Sequence, residues 1–522
     1  MTPLAIPTSR PSAPLRMAAG VAAAATALGV GHLVAALVNP VASPLLAVGS
    51  ALIDAAPTPA KEFAVRTFGT ADKPILLSAI GLVLLVLAAG LGLLAWRRRP
   101  LAYLGIALLG VAGAAAALTR GPLPDVVPSV AAGVAGVAAL RFLTSRASRR
   151  GRPAGEVDGS PTATAAAGRS RRGFLAGLGA TAAVAAVTTG GGFVLGRVQQ
   201  AGAAARRAMG LPAPASPAAP LPAGVQLPGV TPFTTPNADF YRVDISLVTP
   251  RIDAASWSLT IGGMVDRPLT LTYDELLAMP MIERDITLTC VSNEVGGPYV
   301  SSGRWLGVPF AEIIRRVGVQ PGVEQVYSSS ADSGYTCSTP YAAVSDGRDA
   351  MIVVGLNGEV LPDARGYPAR MLVPGLFGFV SATKWLERIE FTTYAARTAY
   401  WTERDWATDA PVLTQSRIDL PASLSTLPKE RPMIAGVAWA QHRGIAKVEV
   451  RVDDGDWQQA TLAADAGVDL WRQWSLRYEG PAGLHTAQVR ATDLDGLTQP
   501  EQRTKVFPDG ARGWHQIQFT SE

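Results

Sequence analysis

Only two cysteines, Cys290 and Cys337, stand in 522 residues. Cys290 ends the apolar run "ITLTC" and is followed by the glycine-ended loop "VSNEVGG". Three chemistries fit. Outside a membrane, two cysteines can pair as a disulfide. They can also be two small buried side chains. A lone thiolate at a strand end, beside a loop open to a cofactor, can instead bind a soft metal centre. Spacing alone does not choose among them, because it does not place two sulfurs within bonding distance.

Other chemistries lack their residues. Of the histidines His32, His442, His485 and His515, only His32 falls in a long apolar stretch. A transmembrane haem needs axial ligands from facing helices, so no haem is expected in this chain. H-E-x-x-H, C-x-x-C, Walker A and G-x-S-x-G are all missing, which argues against zinc hydrolase, iron–sulfur, NTPase and α/β-hydrolase chemistry. The net charge of +5 comes mostly from arginines beside apolar stretches, and no basic face points to nucleic acid.

The chain that positions these cysteines has two textures. It is 48% hydrophobic and 17% charged, with mean hydropathy +0.22. That is too apolar for an ordinary soluble protein. Five stretches are candidate membrane spans: Met17–Val38, Pro74–Trp96, Leu101–Leu118, Val126–Leu143 and Gly173–Leu195. Arginines 97–99 follow the second span; Arg141 stands at the end of the fourth, and Arg146, Arg149, Arg150, Arg152, Arg169, Arg171 and Arg172 separate it from the fifth. The positive-inside rule puts both clusters in the cytoplasm and everything after about residue 196 outside. The pair Arg171–Arg172, followed by Phe174, Leu175 and an Ala/Gly/Thr segment, resembles a twin-arginine export signal kept as an anchor. The Ala/Pro-rich stretch Ala201–Pro236 reads as a semi-rigid tether.

Beyond it, "WSLTIGGMVDRPLTLTYDELLAM" reads as strand, turn and helix, and "FAEIIRRVGV" as an amphipathic helix. Mixed strands and helices without regular alternation imply an α+β domain. After about Arg431 only short strand-like runs remain, with a turn signal at Asp453–Asp456, which implies an immunoglobulin-like β-sandwich. The expected organisation is a four-helix membrane region (1–146) and a basic linker, anchor helix and tether (147–235). A catalytic α+β domain (236–410) and a β-sandwich (411–522) follow.

Residues 232–522 resemble the sulfite oxidase family of molybdenum–molybdopterin oxidoreductases. The resemblance is carried, in order, by "TPNADFYRVD", "WSLTIGGMVDRPLTLTYDEL", "LTCVSN", "SGYTCSTP" and "LNGEVLPDARGYPARMLVPGLFGFVSATKWLERIE". It implies a sulfite-oxidase-type domain with Cys290 as the molybdenum ligand and Tyr335 beside the metal's oxo groups. Asn237 and Tyr241 become pterin contacts, Arg370 the partner of the cofactor phosphate, and Ser381, Thr383 and Lys384 the loop that holds the cofactor. Arg242 becomes the attractor of an anionic substrate. The sandwich resembles the family's dimerisation domain. The implied reaction is two-electron oxygen-atom transfer on a small molecule, with a separate cytochrome or quinone-linked electron carrier.

Two departures bear on the substrate. Sulfite-oxidising members often follow the cysteine with "AGNRR", where this chain has "VSNEVGG"; the leading motif often has a His where Asp244 stands. A less cationic pocket holds a sulfite dianion less well. An S- or N-oxide reductase and a non-catalytic anchored scaffold are therefore the alternatives, the scaffold carrying a Cys290–Cys337 disulfide.

Overall fold

The computed structural model describes residues 11–57, 60, 63–64, 67–68, 71–119, 121–148, 163–207, 210–331, 334–430 and 432–522. The basic linker at 149–162, Ser333, and the side chains of Arg146, Arg169, Arg171 and Arg172 lie outside the described residues. The chain forms two units: residues up to Ala204 with Ser246–Val248, and Ala205–Ile245 with Thr249–Glu522.

The first unit is helical: α1 (Ala13–Val38), α2 (Pro44–Ala55), α3 (Asp72–Leu94), α4 (Arg99–Leu118), α5 (Val127–Ser148) and α6 (Ala163–Arg207). Among the described residues five apolar segments are long enough to cross a membrane: Ala13–Val38, Asp72–Leu94, Arg99–Leu118, Leu123–Ser145 and Gly173–Leu195. They coincide closely with the stretches read from hydropathy; the short helix α2 was not anticipated. Small residues let backbones touch. A Cβ on Gly20 of α1 would collide with the backbone of Ala88 and Gly92 of α3, and Gly110 of α4 abuts Gly133 of α5. Such close approach is how helices associate where no hydrophobic effect separates them from lipid.

The second unit is built on four sheets. One has the order β2-β1-β10-β5-β6, from β1 (Ser258–Gly263), β2 (Leu269–Thr272), β5 (Gln325–Ser330), β6 (Thr336–Pro340) and β10 (Leu386–Thr392). Another runs β3-β4-β7-β8, from β3 (Ile282–Thr289), β4 (Val300–Pro309), β7 (Met351–Leu356) and β8 (Glu359–Val360), with β9 (Arg370–Leu372) paired to β7. Every residue of β7 is buried, which explains its continuous apolar run. Helix α7 (Tyr273–Leu277) starts on a capping box between Thr272 and Glu275. Helix α8 (Phe310–Val317) buries Phe310, Ile313 and Val317 at helical spacing and ends on left-handed Gly318. The short α9 (Tyr341–Ser345) and α10 (Gly378–Ser381) cap strand ends.

Residues after 411 form two further sheets. One is β11-β13-β17-β16, from β11 (Gln415–Leu420), β13 (Met433–Trp439), β16 (Thr461–Leu462) and β17 (Arg472–Arg477). The other is β12-β19-β18-β14-β15, from β12 (Ser425–Leu427), β14 (Ile445–Val452), β15 (Gln458–Gln459), β18 (Gly483–Asp493) and β19 (His515–Ser521). Both contribute to one core that includes Ile434, Trp474, Val448, Val489 and Phe519.

The tether expectation needs correction. Residues from Ala205 onward belong to the second unit, and Val225, Val230 and Phe233 lie in its main core. Ser216 bridges Ile282 at the start of β3, and the Ser216 carbonyl accepts from the Glu283 N–H at 2.9 Å. Its apolar side chains enter the core at irregular intervals, so no helical or strand periodicity announces it.

Candidate active site

Cys290 lies one residue beyond β3, and its N–H donates to the Tyr299 carbonyl at 3.0 Å. The Asn293 N–H donates to the Cys290 carbonyl at 3.1 Å, and Asn293 Oδ1 accepts from the Tyr299 N–H at 2.8 Å. The loop therefore closes on itself and holds the thiol 8% exposed. The Ser292 hydroxyl lies 2.9 Å from the Cys290 sulfur. Burial pushes the Cys290 thiol up, while Ser292 and the Lys384 charge pull it down. Cys290 and Cys337 are both free thiols, so no disulfide joins them.

Tyr335 closes the β5–β6 hairpin, its carbonyl accepting from the Ser330 N–H at 3.0 Å. Its hydroxyl and the Cys337 thiol both donate to the Phe379 carbonyl, each at 3.2 Å. Burial raises the Tyr335 phenol well above its ordinary value, with Cys337 and Cys290 adding to the shift. Burial likewise raises Tyr241, with Cys290 adding and Arg370 and Arg365 opposing. Both phenols stay protonated near neutrality and remain hydrogen-bond donors.

Cations crowd the same region. Among the described residues Arg370, 4% exposed, donates to carbonyls: Arg365 at 3.2 Å, Ala382 at 3.3 Å and Met371 at 3.5 Å. Its guanidinium lies 5.2 Å from the Trp305 ring centroid, within cation–π range. Burial brings Arg370 down to about 10. Arg365, 7% exposed, grips the carbonyls of Asn237, Ala238 and Tyr241 at 2.9–3.3 Å. Lys384 Nζ donates to Asp244 at 2.6 Å, and burial lowers it to about 8. Arg242 Nε meets the same carboxylate oxygen at 2.7 Å. Gly366, at φ +113, lets this cluster form: a Cβ there would sit 3.0 Å from that of Lys384 and 3.1 Å from that of Arg370.

The remaining expected residues work differently. Ser381 donates to the carbonyls of Leu376 and Phe377 at 3.2 and 3.0 Å, and Thr383 pairs with Ser328 at 2.7 Å. The Ser381 hydroxyl holds its own loop, and the Thr383 hydroxyl ties that loop to β5. The Asn237 amide is taken up by Leu356, Glu359 and Asn357 at 2.9–3.2 Å, and it reaches the cluster only through its carbonyl on Arg365. The structure thus gathers Cys290, Tyr241, Tyr335, Arg370 and Lys384, adds Arg365 and Ser292, and holds Ser381, Thr383 and Asn237 as supports. The sequence reading missed Arg365. Its only signal was proximity to Arg370 within "DARGYPAR".

Whether this region fits a phosphate-bearing pterin is a question of charge. Arg365, Arg370, Lys384 and Arg242 converge, and the Asp244 carboxylate pairs with Arg242 and Lys384. Buried cations satisfied only by carbonyls are costly unless an anion joins them. Arginine's planar fork suits phosphate. A buried thiol beside two protonated phenols adds a soft sulfur donor. The residues fit the group.

The family model described as "Oxidoreductase molybdopterin binding domain" matches residues 246–401. Mitochondrial sulfite oxidase of Homo sapiens is 26% identical over 338 residues, covering 55% of this chain and 61% of that one. Nitrate reductase [NADH] 1 of Oryza sativa subsp. japonica is 27% identical over 333 residues, covering 52% and 36%. The crystal structure of the sulfane dehydrogenase SoxCD from Paracoccus pantotrophus superposes with TM-score 0.46 at 23% identity, covering 54% of this chain and 81% of that one. The chain spans about three-fifths of the length of the mitochondrial sulfite oxidases it matches.

Proposed function

Because the chain belongs to the sulfite oxidase family of molybdopterin oxidoreductases, we propose that it is a membrane-anchored enzyme acting on a small sulfur oxyanion or a related oxide. When bound, the molybdenum centre supplies two-electron oxygen-atom transfer. Cys290 is the chain's thiolate ligand to it. Arg365, Arg370 and Lys384 hold the anionic end of the pterin. Tyr241 presents its phenolic proton at the reacting side, where a donor steadies charge developing on oxygen; the Tyr335 hydroxyl, whose proton goes to the Phe379 carbonyl, keeps its oxygen toward the same side. The single observation that carries this reading is the cation cluster beside a buried free thiol.

A second reading, reduction of an S- or N-oxide, is favoured by Asp244. Its carboxylate ties up both Arg242 and Lys384, which weakens the pull on a dianion and suits a neutral oxide. A separate cytochrome or quinone-linked carrier completes the electron path in either direction. The two-sheet body after residue 411 serves as an immunoglobulin-like dimerisation module.

The test compares wild type with Cys290→Ser. Molybdenum and pterin are measured per protein, and turnover is assayed with sulfite and with dimethyl sulfoxide. The wild type is expected to hold the metal and turn over one probe, and the variant to lose turnover. Equal metal content and turnover in both would overturn the ligand assignment. A wild type devoid of molybdenum would favour the scaffold reading.

The five apolar helices support a multi-pass anchor with the catalytic part on the extracytoplasmic side. Arg171→Lys with Arg172→Lys should leave that part on the cytoplasmic side, as read by protease access. Normal externalisation would overturn the twin-arginine route.

A further inference from the structure

We infer that the C-terminal two-sheet body seats the Cys290 thiolate, with Gln441 as its positioning residue. This rests on Cys290 being the metal ligand. The chain around Cys290 is held on both sides by residues from after position 411. Before it, the Thr287 N–H donates to the Asp469 carbonyl at 2.9 Å, and the Trp471 N–H donates to the Thr287 hydroxyl at 2.9 Å. Gln441 Nε2 donates to the Thr289 hydroxyl at 2.7 Å and to the Thr287 carbonyl at 3.3 Å. After it, Arg417 donates to the Gly297 carbonyl at 2.9 Å. Gly296, at φ +80, lies so close to the His515 ring that a Cβ there would be 2.2 Å from a ring carbon.

Gln441 carries most of the argument. It is fully buried, and its Oε1 meets no donor among the described residues. A buried amide oxygen left unpaired costs stability, which a leucine of similar size would avoid. Stability therefore does not account for a glutamine here; its donor group on the residue next to Cys290 does. Fixing the Thr289 hydroxyl fixes the twist of the strand end, and with it the direction in which the cysteine side chain leaves the backbone. Supporting groups of this kind set ligand orientation at metal centres.

The experiment uses the full chain purified with its cofactor. Gln441→Leu, Thr289→Val and the double variant are reduced with dithionite, and the molybdenum(V) electron paramagnetic resonance spectrum is recorded beside metal content and melting temperature. Each single variant should keep its metal and fold, yet show shifted or broadened signals. The double variant should add no further change beyond Gln441→Leu, because Thr289→Val removes a contact that Gln441→Leu already removes. A wild-type spectrum in a folded, metal-replete Gln441→Leu protein overturns the inference. So does failure of that variant to fold, which would make Gln441 a core residue and nothing more. Cys290→Ser separates the two levels: a spectrum unchanged there sinks the ligand reading itself, whereas a change there with none in Gln441→Leu sinks only the positioning role.

Discussion

The Ser292 hydroxyl and the Cys290 sulfur lie 2.9 Å apart, two residues along the chain from each other. The loop turns back so that an O–H faces the thiol. A hydrogen bond draws electron density off a ligating sulfur and raises the potential of its metal. Ser292→Ala is expected to keep molybdenum but lower its reduction potential, whereas Ser292→Thr restores it. Potentiometric titration of the molybdenum(V) signal reads the difference. An unmoved potential in metal-replete Ser292→Ala would refute the role.

Arg365 and Arg370 are expected to hold the pterin's phosphate. Arg365→Met and Arg370→Met should each lower bound pterin about tenfold or more, equivalent to about 1.4 kcal/mol or greater. The fluorescent oxidation product of the pterin measures this. The cofactor-free variants should melt no lower than cofactor-free wild type, since each loses a desolvated cation satisfied only by carbonyls. Full pterin content would contradict the assignment.

Asp244 sets the charge felt by an arriving anion. Asp244→Asn frees Lys384 and Arg242, and sulfate should then bind about tenfold more tightly at low salt, with the gain fading as ionic strength rises. Calorimetric titration with sulfate checks this. Lys384→Gln should move affinity the other way.

His515 is expected to make the fold acid-sensitive. Its Nδ1 accepts from the Ile418 N–H at 3.0 Å. Burial lowers it from 6.5 to about 4, with Arg503 and Arg417 adding and Asp419 opposing. The folded protein thus keeps His515 neutral where the unfolded chain takes up a proton. Its contribution is intact above pH 6.5, falls as pH drops toward 4 and is fully lost below that, a change of up to about 3 kcal/mol. His515→Asn does not titrate and should lose less stability between pH 7 and pH 4.5. Thermal melts at both pH values decide; equal losses would exclude His515 as a source.

Phe233 distinguishes a tether from a core segment. It is 4% exposed, and its carbonyl accepts from Trp471 Nε1 at 2.9 Å. Phe233→Ala should cost about 3–5 kcal/mol. Denaturant unfolding would show no change if the segment merely linked two parts.

What the sequence made legible followed the kind of signal each feature leaves. Hydropathy marks spans by length alone, and Phe310, Ile313 and Val317 mark α8 by their spacing. The ordered motifs led to Cys290, Tyr335, Arg370 and Lys384, whose side chains the fold gathers. Arg365 escaped notice because it bonds backbone carbonyls, which have no residue identity to read. Gln441 escaped because its partners Thr287 and Thr289 lie 154 and 152 positions away. The docked segment before residue 236 escaped because its core side chains, Val225, Val230 and Phe233, are irregularly spaced in a proline-rich run. The state of the two cysteines needed three dimensions.

Arg365 grasps main-chain oxygens at Asn237, Ala238 and Tyr241. A grip on carbonyls is indifferent to the side chains those positions carry. The leading loop can therefore drift in sequence while its path around the guanidinium stays fixed. Variation there is cheap so long as one distant arginine is kept, and a single change at Arg365 would release several loop positions together.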